Sequence, residues 1–315
     1  MNVLVTGGLG YVGGRISSHL AAQGDINLSI STRSTGRLPP AWLGRGQMLH
    51  APDDLQPANG KLSGIDVLVH LATLNETVSN RDPAAAFEVN CLGTLRLLEA
   101  AVKAKIEHFI YFSTVHVYGT PLKGRLTEST LPRPFQPYAI VHRATEDFVL
   151  AAGAHSGMRT TIVRLANAIG APHDLAVERW TLLTNDLCRA AVTKRRLELR
   201  SAGRQWRNFI ALGDVARATE FLIRQPGRAN EDGIYNLAGE RSQRVIEMVN
   251  LIAERCHRGL GYRPDIVLSE NSPPVDETEL EIGVERLKDS GFTFQGDLAE
   301  EIDSTLRFCA AHCQI

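Results

Sequence analysis

Val3-Leu4-Val5-Thr6-Gly7-Gly8-Leu9-Gly10-Tyr11-Val12-Gly13 runs an apolar strand straight into three glycines spaced Gly-x-x-Gly-x-x-Gly. Each glycine has a physical role. Gly7 lets the chain leave the strand in a tight turn, Gly10 lets backbone approach a pyrophosphate, and Gly13 lets the next helix lie close on the sheet. That helix would offer free N–H groups and the positive end of its dipole to an anion. Ile16, Leu20 and Ala21 continue the stretch with an amphipathic pattern, so it reads as strand, phosphate-binding turn and helix. The strand opens at residue 2, and the reading expects no leader before the dinucleotide site.

Outward from this stretch, short apolar runs alternate with helical patterns, which is the signature of a doubly wound parallel sheet. The expected strands are 3–6, 28–32, 67–71, 109–113 and 161–165. A long helix is expected over 138–152, entered through the proline-rich Pro132-Arg-Pro-Phe-Gln-Pro137, since proline at a helix entrance costs little. Beyond Asn167 the alternation loosens. Helical stretches near 181–193 and 245–256, a proline-rich loop at Ser272-Pro-Pro-Val275 and a last helix from Leu298 suggest a smaller, mixed lobe. The fold class expected is α/β: a Rossmann-type doubly wound sheet over 1–166 with return segments at about 205–238. Residues 167–204 and 239–315 would form a substrate-binding lobe. A ligand would sit between the two, beyond the carboxyl ends of the strands.

The bulk properties fit this reading. The chain has 315 residues, 43% hydrophobic and 22% charged, with a formal charge of -1. Such a balance gives no electrostatic reason to expect nucleic acid or an anionic membrane as partner. No apolar run approaches the roughly 18 residues of a membrane span. Cys91, Cys188, Cys256, Cys309 and Cys313 are odd in number and scattered, which suits free thiols in a reducing cytoplasm. His312 lies within Cys309-x-x-x-Cys313, yet no second ligand pair accompanies it, so no metal is expected.

Several motifs carry chemistry. Asp66-Val-Leu-Val-His70-Leu71-Ala72 reads as a strand ending at the cofactor, with His70 a packed strand residue. Asn90-Cys-Leu-Gly93-Thr94 opens a helix, and Asn90 is expected to brace backbone nearby. Phe112-Ser113-Thr114-Val115-His116-Val117-Tyr118-Gly119 puts two hydroxyls at a strand's carboxyl end. Tyr138 and His142 share a helix face at i and i+4. A tyrosine beside a cation can exchange a proton with a substrate hydroxyl while hydride moves at carbon.

With these residues in view, the chain resembles an extended short-chain dehydrogenase/reductase of the nucleoside-diphosphate-sugar epimerase/dehydratase family. The resemblance extends over nearly the whole length. It also includes Glu146, Arg164-Leu-Ala-Asn167, Arg207-Asn-Phe-Ile210 with Asp214-Val215, and Tyr235-Asn-Leu. It implies Tyr138 as acid/base, Thr114 on the sugar's reacting oxygen, and Ser113 and His142 beside them. By the same resemblance Gly7, Gly10, Tyr11, Val12, Gly13, Leu71, Ala72, Asn90, Tyr138 and His142 would hold the cofactor. Asn167 and Arg207 would reach the sugar and its diphosphate, and a homodimer would form through a four-helix contact.

The departures narrow the chemistry. The family's Tyr-x-x-x-Lys is here Tyr138-x-x-x-His142, and an unperturbed histidine is mostly neutral at pH 7. The dehydratases' Asp-Glu pair after the threonine is Val115-His116, which speaks against dehydration and decarboxylation. Epimerisation of a nucleotide sugar then leads. The alternatives are an NADPH-dependent 4-keto reductase or dehydrogenase and a dinucleotide sensor with impaired chemistry. No acid follows the second strand, where Arg33-Ser34 stands instead, so NAD(P) is expected with a lean to NADP. Asp53 or Asp54 is a candidate for the adenine amine. The family's Arg-Pro-Gly-Asp reads Pro273-Pro-Val-Asp276, which removes one anion contact; Arg204 and Arg207 around Trp206 are candidates to compensate.

Overall fold

In a computed structural model, the chain is described except for residues 35, 52, 57–58, 226–232, 270–275 and 314–315 and the side chain of residue 53. Seven parallel strands form the central sheet: β1 (Asn2–Thr6), β2 (Asn27–Thr32), β3 (Gln47–His50), β4 (Val67–His70), β5 (His108–Thr114), β6 (Arg159–Leu165) and β7 (Ile234–Leu237). Their order is β7-β6-β5-β4-β1-β2-β3. The chain therefore reverses direction across the sheet between β1 and β4, where Val3 pairs with Leu28 on one side and Val67 on the other. This is the switch point at which open α/β sheets bind ligands.

Side-chain alternation of period two puts both faces of each strand in a core. Val3, Val5, Val67, Val69, Ile110 and Phe112 join one cluster, with Ile16 and Leu20 of α1 (Tyr11–Ala21). Leu4, Leu68, Phe109 and Tyr111 join the other. That second face is covered by α2 (Gly93–Lys103) and α3 (Pro137–Ser156), through Leu97, Leu98, Ala101 and Val149. Pro137 stands in the first turn of α3, as its fixed φ and missing N–H allow, and Gly157 closes the helix in the left-handed conformation.

The remaining elements surround a separate core built from Ile169, Leu187, Leu197, Phe209, Met248, Ile252, Ile302 and Leu306. They include the strand Asn167–Ile169, which pairs with Trp206–Ala211, and α4 (Leu183–Lys194), α5 (Leu212–Arg224), α6 (Val245–Leu260) and α7 (Leu298–His312). Leu212, Val215 and Leu222 of α5 return to the first core. Among the described residues no helix is long and apolar enough to cross a membrane, and no cluster of ligating side chains could hold a metal. All five cysteines are free.

Candidate functional site

The glycine turn at the end of β1 is shaped by contacts that no side chain would allow. Gly7 has φ +71, in the left-handed region, and a Cβ there would sit 3.0 Å from the Ala72 nitrogen. A Cβ on Gly13 would lie 2.1 Å from the Gly7 carbonyl oxygen, so only glycine lets α1 start this close to the strand. Gly10 donates back to that carbonyl at 2.9 Å and is exposed, leaving its outer face open. Leu71 donates its N–H to the Thr6 carbonyl at 3.1 Å, which sets Leu71 and Ala72 along the turn. Val12 is half-buried. Tyr11 differs from the expectation: its buried hydroxyl donates to Gly170 O at 2.8 Å and meets Asn185 Oδ1 at 3.1 Å. That ties α1 to the second core and leaves only the Tyr11 backbone to a cofactor.

His70, at the end of β4, is a fully paired core residue. Thr94 gives its proton to the Asn90 carbonyl at 2.7 Å, so it accepts from His70 Nε2 at 2.9 Å. Nδ1 then accepts from the Thr6 hydroxyl at 2.6 Å. Asn90, wholly buried, holds both backbone groups of Leu74, accepting from its N–H at 2.6 Å and donating to its carbonyl at 3.2 Å. Its side chain therefore shapes the loop after β4; it does not reach into the cleft. At the end of β2, Arg33 and Ser34 are exposed and no carboxylate follows the strand. Asp54 caps β3 by accepting from the His50 N–H at 2.7 Å, while the Asp53 side chain lies outside the described residues.

The two hydroxyls at the end of β5 have different partners. Thr114, buried, lies against the phenol of Tyr138. Ser113 donates to Glu146 Oε1 at 2.5 Å. There it joins a closed network with Glu146 at its centre. Arg164 binds both oxygens of that carboxylate, at 3.0 and 2.8 Å, and Arg143 adds a contact at 2.9 Å. Arg164 also donates to the Tyr118 hydroxyl at 3.1 Å, which donates to Asn236 Oδ1 at 2.6 Å. Ser113, assigned to the catalytic group from sequence, is thus structural, and so are Glu146, Arg164 and Asn236.

Tyr138 stands in the first turn of α3. Burial, and then the Glu76 carboxylate, push its phenol up to about 12, while Arg179 and the Thr114 hydroxyl act in the opposite direction. Glu76 and Arg179 form an ion pair at 3.2 Å, and Arg179 Nη1 is buried without a hydrogen-bond partner. Neither residue was singled out from sequence; they lie 103 positions apart and no local pattern joins them. One turn on, the His142 ring meets Tyr138 edge-on at 4.5 Å. His142 is 1% exposed, and burial, then His116, push its imidazole down to about 3. It is therefore neutral at pH 7, not the cation a lysine would supply. Its Nδ1 pairs with the Tyr111 hydroxyl at 2.8 Å, and Nε2 is buried with no partner.

His116, Asn167, Trp206 and Arg207 line a cavity of about 100 Å³. Asn167 is held by donating to the Asn208 carbonyl at 2.8 Å. Arg204 is engaged elsewhere, pairing with Glu277 at 3.4 Å, while Arg244 lies over the Trp206 ring at 5.6 Å. Asp276 on the cavity wall pairs with Lys123 at 2.8 Å, and residues 273–275 lie outside the described residues. Asp214 has a structural role, accepting from the N–H groups of Gln295 and Gly296 at 2.9 and 2.8 Å.

The tight glycine turn and the exposed Gly10 fit a bound dinucleotide. Comparisons with known proteins identify the family. UDP-glucose 4-epimerase of Rhizobium meliloti is 33% identical over 184 residues, a stretch covering 57% of this chain and only 55% of that protein. GDP-6-deoxy-D-mannose reductase of Pseudomonas aeruginosa is 28% identical over 80% of this chain and 79% of its own. The structure of MoeE5 in complex with UDP-glucose and NAD superposes with a TM-score of 0.78 at 26% identity, covering 98% of both chains. The sequence profile of the NAD dependent epimerase/dehydratase family matches residues 3–238. This chain belongs to that family.

Proposed function

We propose that the chain is an NAD(P)-dependent enzyme acting at a hydroxyl-bearing carbon of a nucleoside-diphosphate sugar, with Tyr138 as its acid/base. The observation that carries this reading is the pairing of Tyr138 with Thr114 at the carboxyl end of β5, two residues before His116, which lines a cavity together with Asn167 and Arg207. A bound nicotinamide would accept or give hydride at the sugar carbon. Thr114 would hold the sugar oxygen, Tyr138 would exchange its proton, and Arg207 with Asn167 would hold the diphosphate end. The half-buried position of Tyr138 limits the access of bulk water to that proton. We further propose that the chain works as a homodimer through α2 and α3.

Epimerisation is the version that the sequence favours, and relatives carry that activity. A specific observation favours the second version, reduction of a keto sugar. Tyr138 holds its proton with its phenol pushed up to about 12 beside a neutral His142, which suits a donor better than a base. The exposed Arg33 and Ser34 after β2, with no carboxylate to repel a 2′-phosphate, support NADP in that role. Denaturing the purified protein and identifying the released dinucleotide separates the two. Epimerisation returns hydride to the same molecule and predicts stoichiometric retained cofactor. Reduction predicts protein that releases its cofactor and binds NADPH on titration.

A further inference from the structure

The first turn of α1 is crossed by the segment that follows the strand Asn167–Ile169. The Gly170 carbonyl accepts from the Tyr11 hydroxyl at 2.8 Å, and a Cβ on Gly14 would stand 3.6 Å from the His173 Cβ. Tyr11 and Gly14 are the first and fourth residues of α1, and Gly14 donates its N–H to the Gly10 carbonyl at 2.7 Å. The crossing segment therefore lies against the helix within one turn of the glycine loop. Two contacts then join it to the chain that follows β2. The His173 ring meets Trp42 edge-on with centroids 5.6 Å apart, and Asp174 Oδ2 pairs with the Arg37 guanidinium. The other carboxylate oxygen accepts from the Ala176 N–H at 2.9 Å, so the segment itself sets the direction of Asp174. Arg37 is four residues past Arg33, which stands where a doubly wound dinucleotide fold meets the adenosine ribose.

We propose that residues 170–176 are a strap, fastened by the Arg37–Asp174 ion pair beside the adenosine half of the dinucleotide, and that opening of this pair sets the rate of cofactor exchange. The inference rests on the dinucleotide reading above. Trp42 packs on the first core and Val177 lies within it, so both segments are anchored at one end. Between those anchors apolar packing gives way: Leu38 and Leu175, each next to a paired residue, are 83% and 66% exposed. A contact held by one partly exposed ion pair and one ring edge opens without disturbing the cores behind it. Fastened, the strap keeps the cofactor in place through a hydride transfer and its return; open, it lets the cofactor leave after a single transfer.

The test is the release rate of NADH and of NADPH, followed by the fall in their fluorescence when the loaded protein is mixed with excess oxidised dinucleotide. It compares the wild type with Arg37→Ala, with Asp174→Asn, which keeps an oxygen for the Ala176 N–H, and with the double variant. Losing either half of a partly exposed ion pair should speed release about two- to fivefold. The double variant should release no faster than the single ones, because one contact has been removed in all three. The sign separates a strap from a direct charge contact. If Arg37 only attracted the cofactor's phosphates, Asp174→Asn would remove a neighbouring negative charge and slow release, while Arg37→Ala would speed it. Opposite signs in the two single variants, or release rates equal to that of the wild type, would overturn the proposal and leave the dinucleotide reading standing. A wild type that binds neither NADH nor NADPH would overturn the dinucleotide reading, and the strap with it.

Discussion

Tyr138 and His142 share one face of α3, as their spacing of four residues predicts, but burial changes what the second residue can do. His70, His108 and His142 are each pushed down to about 3, chiefly by burial. Each is neutral when folded and titrates near its usual value, about 6.5, when unfolded. As pH falls below about 6.5 the unfolded chain takes up these protons first. The stability these residues contribute is complete above that pH and is lost progressively towards pH 3. Each histidine then costs roughly 1.4 kcal/mol per pH unit inside that window. Urea unfolding should accordingly show a midpoint that falls steeply from pH 7 to pH 5; an unchanged midpoint would contradict the buried neutral assignment. The glycine turn was legible residue by residue, because a positive φ and a close backbone approach leave glycine no substitute. Tyr111 was not, because its partner is 31 positions away.

Among the elements, β5 and α3 carry most of the site, and they show where a motif misleads. Ser113 and Thr114 look alike in sequence, yet Ser113 gives its proton to Glu146, while Thr114 meets Tyr138. Period two along β5 would have placed Ser113 with Tyr111, on the α3 side. Glu146, on the same helix as Tyr138, is wholly buried and holds Arg164, Arg143 and Ser113. Glu146→Ala should lower stability by about 3–5 kcal/mol in denaturant titrations, because it strands a buried guanidinium. Ser113→Ala should cost less, since the carboxylate keeps both arginines. A Glu146→Ala protein as stable as the wild type would show that the network does not hold α3 to β5 and β6. Arg164, Asp214 and Asn236 were recognisable within motifs, but it is their long-range hydrogen bonds that show each one holding chain to chain.

At the scale of the whole molecule, the alternation of apolar runs was enough to foresee the doubly wound sheet. The strands β3 and β7 went unassigned because polar residues cut their apolar runs to two residues, Met48-Leu49 and Ile234-Tyr235. One outer face remains apolar: Val102 and Phe148 are exposed along a groove of about 520 Å³ between α2 and α3. If the homodimer forms there, Phe148→Glu should convert it to a monomer in light scattering, with the fold intact by circular dichroism. A wild type that is already monomeric would rule the contact out. The most direct test of hydride transfer at a nucleotide sugar, with Tyr138 moving the proton, is the stopped-flow 340 nm absorbance of the protein loaded with NAD(P)⁺ or NAD(P)H. It would be mixed with UDP-, dTDP- and GDP-sugars and their 4-keto forms, using wild type and Tyr138→Phe. With at least one sugar the wild type should show a change, transient where hydride returns to the same molecule and lasting where it does not. In Tyr138→Phe the rate should fall by about 10²–10⁴ with dinucleotide affinity retained. A change that proceeds equally fast without the Tyr138 hydroxyl, or its absence with every sugar, would contradict it.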